Sequence, residues 1–388
     1  MPAVIIMTEV SPLFKSAMYG TYESMESWKD QLRSRITKPE TLAERLRLTA
    51  EEASYFERAA RADAGGGPGI GGRPDIAVES GRAAGPAGAG GADIAGGSSA
   101  SGRPPAAPFL PFAVTEYYLS LSDGTPACPI RRQTVPRIEE LTVRDYELRD
   151  PLGEGLYTAV MGGKPASGSN PCQGADPRSG RIPRLVHRYA DRALLLVTDR
   201  CAVYCRHCFR RSFTGMGGEN GTAGCTGTAG TVGKREIEAA AAYLSAHTEI
   251  RELLLSGGDP LTLDDDKLFA LMEAFVRKRK GLLFRLCTRM PAVLPARVTP
   301  GLVSGLKRFF PVWVVTHFNH PREITPESSE ALRTFVDGGI PVANQTVLLR
   351  GVNDDPAALY ELNSLLLSRG VKPLYLFQGD LAAGTAHL

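Results

Sequence analysis

The chain has 388 residues, enough for one large α/β barrel or for two or three average domains. Its 45 basic and 42 acidic residues nearly cancel and no long run of either sign occurs, which removes the usual electrostatic case for nucleic acid or an anionic membrane surface. The longest apolar runs fall far short of the roughly 20 residues that span a bilayer, and residues 1–7 lack the charged start and the length of a secretory signal. A cytoplasmic protein is therefore expected. Seven cysteines, an odd number with four scattered singly, suit a reducing compartment better than a disulfide framework.

In chain order, residues 1–62 form an N-terminal helical region. Trp28, Leu32 and Ile36 fall four apart on one helical face, and Thr49-Ala-Glu-Glu52 has the form of a capping box opening a further helix. Apolar stripes of this kind need a partner; a solvated helical hairpin is the alternative. Residues 63–108 are dominated by Gly, Ala, Ser and Pro with no apolar period, so a disordered insertion is expected there. Residues 109–192 form a lead-in segment with a turn at Asp123-Gly124 and a Gly-rich loop insertion at 162–180. A second such insertion falls at 215–233, read as a loop or a flap.

From 193 to 388 the pattern is regular. Strand-like apolar runs begin at Ala193, Leu253, Leu283, Val312, Val342 and Leu374, with helical stretches over 237–246, 267–278, 302–309, 328–336 and 357–368 between them. Strand–helix alternation at this spacing predicts βαβ units and a parallel sheet. Six strands are fewer than the eight of a full barrel, and an open doubly wound sheet is the competing architecture.

The carboxyl ends of these strands carry the polar residues. Cys201-Ala-Val-Tyr-Cys205-Arg-His-Cys208 follows the run Ala193-Leu-Leu-Leu-Val-Thr198 and puts three thiols on one tight loop. Three thiolates leave a zinc tetrahedron incomplete, whereas a four-iron cluster held by them keeps one iron without a protein ligand. A zinc knuckle would need a fourth Cys or His, and His207 sits between two of the cysteines. Next come Ser256-Gly257-Gly258-Asp259-Pro260, where two missing side chains let backbone approach a ligand, then Thr288-Arg289, His317-Phe-Asn319-His320, Asn344-Gln345 and Gln378-Gly-Asp380. A bare turn is the plain reading of Gly257-Gly258, and a satisfied core polar group that of His317, Asn319, His320 and Gln345.

The cysteine spacing in this context resembles the radical S-adenosylmethionine (SAM) enzymes, and the longer match from Trp28 onward resembles the lysine 2,3-aminomutase family. The resemblance implies a partial (β/α)6 barrel with an N-terminal helical extension. It implies a [4Fe-4S] cluster on Cys201, Cys205 and Cys208 whose open iron takes SAM and generates a 5′-deoxyadenosyl radical. Ser256, Gly257, Gly258, Asp259, His317, Asn319 and Gln345 stand where the family binds SAM and lines the active-site mouth. Arg188, Tyr189 and Arg192 stand near the pyridoxal phosphate (PLP) that carries the substrate amine; surface charge is their plain reading. Arg210 stands where the family grips the lysine carboxylate, and Asp380 where it pairs with the distal ammonium. The plain readings are a charge that tunes the cluster and a helix N-cap.

The implied activity is transfer of the amino group of L-lysine from C2 to C3, giving β-lysine. The implied partners are a small amino acid, a reduced flavodoxin- or ferredoxin-type electron donor and, for a full-length chain, further copies of itself in a homo-oligomer. A mutase acting on a lysine of translation elongation factor P shares the cluster loop and the acid at 380, and a non-catalytic cluster- and SAM-binding remnant is the alternative of another class. The family joins PLP through a lysine in a Gly-rich segment beyond the Asp380 motif. The sequence stops at Leu388 without it, so a truncated or frame-shifted copy is expected, able to bind cluster and SAM but not to hold PLP covalently.

Overall fold

The computed structural model describes residues 27–63, 110–161, 180–215 and 230–388. The three Gly-rich insertions expected at 63–108, 162–180 and 215–233 lie, except for a few end residues, outside the described residues.

The N-terminal part is built from short helices α1 (Trp28–Arg33), α2 (Pro39–Arg45), α3 (Ala50–Asp63), α4 (Glu116–Ser120) and α5 (Pro129–Thr134). The capping box at α3 forms as its sequence predicts, with Glu52 N meeting Thr49 Oγ1 at 3.3 Å and Thr49 N meeting the Glu52 carboxylate at 2.7 Å. Helix α1 is shorter than expected. It ends at Arg33, capped by Ser34, and Ile36 instead exchanges backbone hydrogen bonds with Val114 while its side chain enters the core.

Eight strands follow in one sheet whose spatial order is the chain order: β1 (Thr158–Val160), β2 (Arg181–Tyr189), β3 (Arg192–Thr198), β4 (Glu252–Gly257), β5 (Leu283–Cys287), β6 (Val312–Thr316), β7 (Val342–Leu348) and β8 (Lys372–Gln378). The six expected strands are β3 to β8, all parallel. Strands β1 and β2 were not expected; they extend the β3 edge in antiparallel fashion. The crossovers are α6 (Lys234–Ala246), α7 (Asp265–Lys278), α8 (Met290–Val293), α9 (Pro300–Leu306), α10 (Pro326–Asp337) and α11 (Pro356–Leu367). Their starts are fixed by side-chain caps: Thr299 before α9, Thr325 before α10 and Asp355 before α11, each followed by Pro at the first turn.

Period-2 alternation sorts the strand residues into two faces. Ala193, Leu195, Val197, Leu253, Leu255, Phe284, Leu286, Val312 and Val314 are buried in one core with helix residues such as Leu271, Phe275, Leu302 and Phe335. On the other face Leu254, Arg285 and Cys287 are only half-buried, while Leu196 and Val315 are buried.

Strands β1 and β8 are the two edges, so the sheet does not close. Nevertheless Leu148, before β1, donates from N to Leu381 O at 2.7 Å, and Ala383 N donates to Leu148 O at 3.0 Å. The Glu147 carboxylate takes the backbone N–H groups of Gly384, Thr385 and Ala386. These bonds join the chain before β1 to the chain after β8, which requires the sheet to curve as a partial barrel does.

Candidate active site

The cysteine loop begins three residues after β3 and is gripped by the N-terminal helical region. Tyr204 N donates to Ala113 O at 3.0 Å, Arg206 N to Gln133 O at 2.9 Å, and Arg35 Nη1 to Cys201 O at 2.6 Å. The side chain of Arg206 is wholly buried, donating to Glu140, to the Tyr55 hydroxyl and to the carbonyls of Leu110 and Pro111. Arg211 adds a second guanidinium to Glu140. Burial pushes the Glu140 carboxyl up, but the combined charges of Arg206 and Arg211 outweigh it and hold the group at about 2.

Cys201 and Cys208 pack against Leu110, Ala113 and Tyr204. Burial pushes both thiols up; the Asp259 charge and then the other cysteines push Cys201 further, and Cys205 does so for Cys208. Cys205 Sγ accepts from Arg289 Nη1 at 2.7 Å, and Cys208 Sγ lies 3.8 Å from Thr214 Oγ1. Among the described residues no three His, Cys, Asp or Glu side chains stand close enough to hold one metal ion, as tetrahedral zinc requires. Cluster thiolates bond to three different irons and need not converge on a point. A set of three soft donors on one loop therefore fits a four-iron cluster with an open iron.

The strand-end motifs fall into two groups. In the first, the predicted residues are used by the protein itself. A Cβ on Gly257, whose φ is +116°, would lie 2.5 Å from Thr198 O, and one on Gly258 would lie 2.3 Å from Arg200 O. The close approach these glycines permit is to the entry of the cysteine loop, whose carbonyls also take the N–H groups of Gly258 and Asp259. This does not disqualify the motif for SAM, because an ammonium is a donor and seeks carbonyls, not N–H groups. Asp259 is saturated by Thr288 Oγ1, Arg289 N and Leu261 N, and burial lifts its carboxyl to about 6.

Asn319 is likewise committed. Its Nδ2 donates to Gln133 at 2.9 Å and its Oδ1 accepts from Val347 N at 2.9 Å. His317 Nε2 donates to Asn319 Oδ1 at 3.1 Å and the ring meets His207 edge-on at 5.3 Å; burial drives its pKa down to about 3, so it is neutral. Asn344 and Gln345 sit inside β7, not at its end, because the strand runs on to Leu348. Gln345 is half-buried with no hydrogen bond from its side chain among the described residues. His320 accepts from Arg322 N, an ordinary cap.

In the second group, residues from distant elements meet. Arg210 gives Nε and Nη2 to the Glu154 carboxylate at 2.7–3.1 Å and Nη1 to Ser256 Oγ at 3.2 Å. Glu154 sits on the turn before β1, which Asp150 shapes by accepting the N–H groups of Glu154 and Gly155. Asp380, just after β8, is exposed and caps no helix. Its carboxylate has no hydrogen bond among the described residues, and burial pushes it up while Arg210 pulls it down. Arg210 and Asp380 thus both lie past the carboxyl ends of their strands, β3 and β8, and the charge of Arg210 is felt at Asp380.

Arg188, Tyr189 and Arg192 lie on the β2–β3 turn, at the opposite end of β3 from the cysteine loop. Seven residues at about 3.3 Å each put that end roughly 20 Å away. Both guanidiniums lie over the Tyr189 ring, Arg192 is held by Asp191, and Arg188 donates to Leu152 O. The pair offers positive charge suited to a phosphate.

Three participants escaped sequence reading: Glu154, Arg289 as a contact to sulfur, and the Glu140 clamp. Each joins residues 56 to 84 positions apart, a separation for which charge pattern alone gives no signal.

The Radical SAM superfamily profile matches residues 195–362. The L-lysine 2,3-aminomutase of Fusobacterium nucleatum is 38% identical over 283 residues, covering 72% of this chain and 58% of that protein; the enzyme of the same name from Acetoanaerobium sticklandii is 40% identical over 279 residues, covering 72% and 59%. The glutamate 2,3-aminomutase of Clostridioides difficile is 32% identical over 373 residues, covering 96% of this chain and 69% of that protein. The chain thus spans just under three fifths of the length of those lysine enzymes. With the three-thiol loop, the parallel half-barrel and these relatives, the chain belongs to the lysine 2,3-aminomutase family of radical SAM enzymes.

Proposed function

We propose that the protein of which this sequence is given moves an amino group between C2 and C3 of a basic amino acid, L-lysine in the first place. Cys201, Cys205 and Cys208 hold the cluster, with SAM beside Ser256, Gly257 and Gly258. Bound, the cluster and SAM supply a hydrogen-abstracting radical, and PLP supplies a carrier for the migrating amine. The observation that carries the reading is that Arg210, two residues after Cys208, is held in one orientation by Glu154 while the Asp380 carboxylate, just after β8, has no hydrogen bond among the described residues.

Glu154 occupies the Nε–Nη2 edge of Arg210, which fixes the guanidinium plane, and Nη1, which donates to Ser256 Oγ, is the arm that a substrate carboxylate would take. Asp380, without a partner of its own, suits a distal ammonium and repels a distal carboxylate. This favours lysine over glutamate, although a glutamate enzyme aligns with more of the chain. Arg188 and Arg192 are the side chains we assign to the PLP phosphate. The chemistry calls for a reducing, cytoplasmic setting, a low-potential flavodoxin- or ferredoxin-type donor, and the homo-oligomer inferred for the family.

The test is anaerobic turnover of the full-length natural protein with SAM, PLP, dithionite and lysine and glutamate in competition. Formation of β-lysine in excess supports the reading. β-Glutamate as the main product overturns the substrate, and absence of 5′-deoxyadenosine overturns catalysis in favour of a cofactor-binding remnant.

A further inference from the structure

Arg289 is placed unlike any other cation near the cysteine loop. It follows β5 by two residues, and its backbone N donates to Asp259 Oδ2 at 2.8 Å. Its Nη2 is shared among the Tyr118 hydroxyl at 2.8 Å, Gln133 Oε1 at 2.6 Å and Glu323 Oε1 at 2.7 Å. The guanidinium carbon lies 5.2 Å from the centre of the Tyr118 ring, and Nε is buried without a partner. Three separate elements, α4, α5 and the turn Pro321–Glu323, therefore fix one edge of the group. The remaining arm, Nη1, is aimed at Cys205 Sγ, 2.7 Å away.

The three thiols are not equivalent in this respect. Cys208 has a neutral hydroxyl at 3.8 Å and a backbone hydrogen bond from Arg210, Cys201 rests against Leu110, Ala113 and Tyr204, and among the described residues neither sulfur takes a guanidinium hydrogen bond. A charged N–H on a ligating sulfur withdraws electron density from the cluster and favours the form carrying one more negative charge. Burial strengthens the effect, because the site excludes the water that would screen it.

We propose that Arg289 is the residue that sets the reduction potential of the cluster, raising it through the hydrogen bond to Cys205, and that the helical N-terminal region acts on the cluster by holding Arg289 in place. The proposal rests on the assignment of the three cysteines as cluster ligands. One electron enters the cluster from an external reductant; no bond is made or broken in the protein and no proton moves.

The experiment compares anaerobically reconstituted wild type with Arg289→Lys, with the double variant Arg289→Met/Glu323→Gln, which removes the buried pair together, and with Thr214→Val. Iron and sulfide content is measured first, then the midpoint potential by titration with titanium(III) citrate followed by electron paramagnetic resonance, without SAM. The double variant is expected to titrate at a more negative potential, Arg289→Lys to shift less in the same direction, and Thr214→Val not to shift. An unchanged midpoint in the double variant at equal cluster content overturns the proposal. If the Arg289 variants do not load iron, wild-type protein labelled with 15N-arginine decides: a hyperfine coupling from guanidinium nitrogen to the reduced cluster supports the contact, and its absence overturns it. A wild type that binds no four-iron cluster at all instead removes the cysteine assignment on which the proposal stands.

Discussion

Replacing Glu140 by Gln removes the one carboxylate that neutralises two buried guanidiniums. Arg206 reaches it through Nε at 2.9 and 3.2 Å and Nη2 at 2.6 Å, with Arg211 completing the set, and Glu140 and Arg206 are fully buried. Two routes give the size of the loss. Breaking one partner of a buried ion pair costs about 3–5 kcal/mol. Independently, a carboxyl moved from its model value of 4.5 to about 2 contributes roughly 3 kcal/mol at neutral pH, at about 1.4 kcal/mol for each pKa unit. Both values are a large share of the ~5–15 kcal/mol that a domain has in total.

The sign of the pH effect follows from the same shift. The folded-state pKa lies below the unfolded one, so the contribution is complete above about 4.5 and fades as pH falls toward 2. Urea unfolding followed by circular dichroism and by the fluorescence of Trp28 and Trp313 is expected to show Glu140→Gln less stable by about 3 kcal/mol at pH 7. The difference from wild type should shrink steadily below pH 4.5. A loss under ~1 kcal/mol, or a difference independent of pH, would refute the reasoning, because either result means the guanidiniums find water or another acceptor.

Gly258→Ala drives a Cβ to within 2.3 Å of Arg200 O, and backbone cannot yield as a side-chain tip can; a loss of about 2–4 kcal/mol is expected, with reduced iron content on reconstitution. Arg210→Lys keeps the charge but gives up the planar fork shared between Glu154 and a substrate carboxylate. In full-length enzyme kcat/KM should fall about 10- to 100-fold, as for a lost charge-assisted hydrogen bond, with the cluster's visible absorption unchanged. Cys208→Ser should abolish the dithionite-bleachable absorption outright while the fold, followed by circular dichroism, persists.

Legibility in the sequence follows the range of the interaction. Strands β3 to β8 are apolar runs that alternate with capped helices at fixed spacing, and each was placed to within a few residues because its signal is local. Strand β2 offers no such signal. Arg181, Pro183, Arg184 and Arg188 interrupt its apolar residues, and Arg184 takes a φ of +67° that a regular strand does not use. That side chain is nevertheless buried, near Glu236 at 3.7 Å and over the Phe213 ring at 5.3 Å. No local pattern marks this burial, because its partners lie tens of residues away.

The same reasoning explains why the glycine motif was located but only half understood. Gly257-Gly258 marks a close backbone approach, which the sequence carries plainly; which backbone or ligand approaches is a tertiary fact. The partner proves to be the entry of the cysteine loop, so the residues that would cradle SAM also fix where the thiols stand. The N-terminal helices act on that loop from the other side, through Tyr55, Gln133, Glu140 and Arg35. Neither the half-barrel nor the helical region alone positions the three sulfurs. A change in either should therefore disturb the cluster, and Arg210, tied to Ser256 of the glycine motif as well as to Glu154, should feel it too.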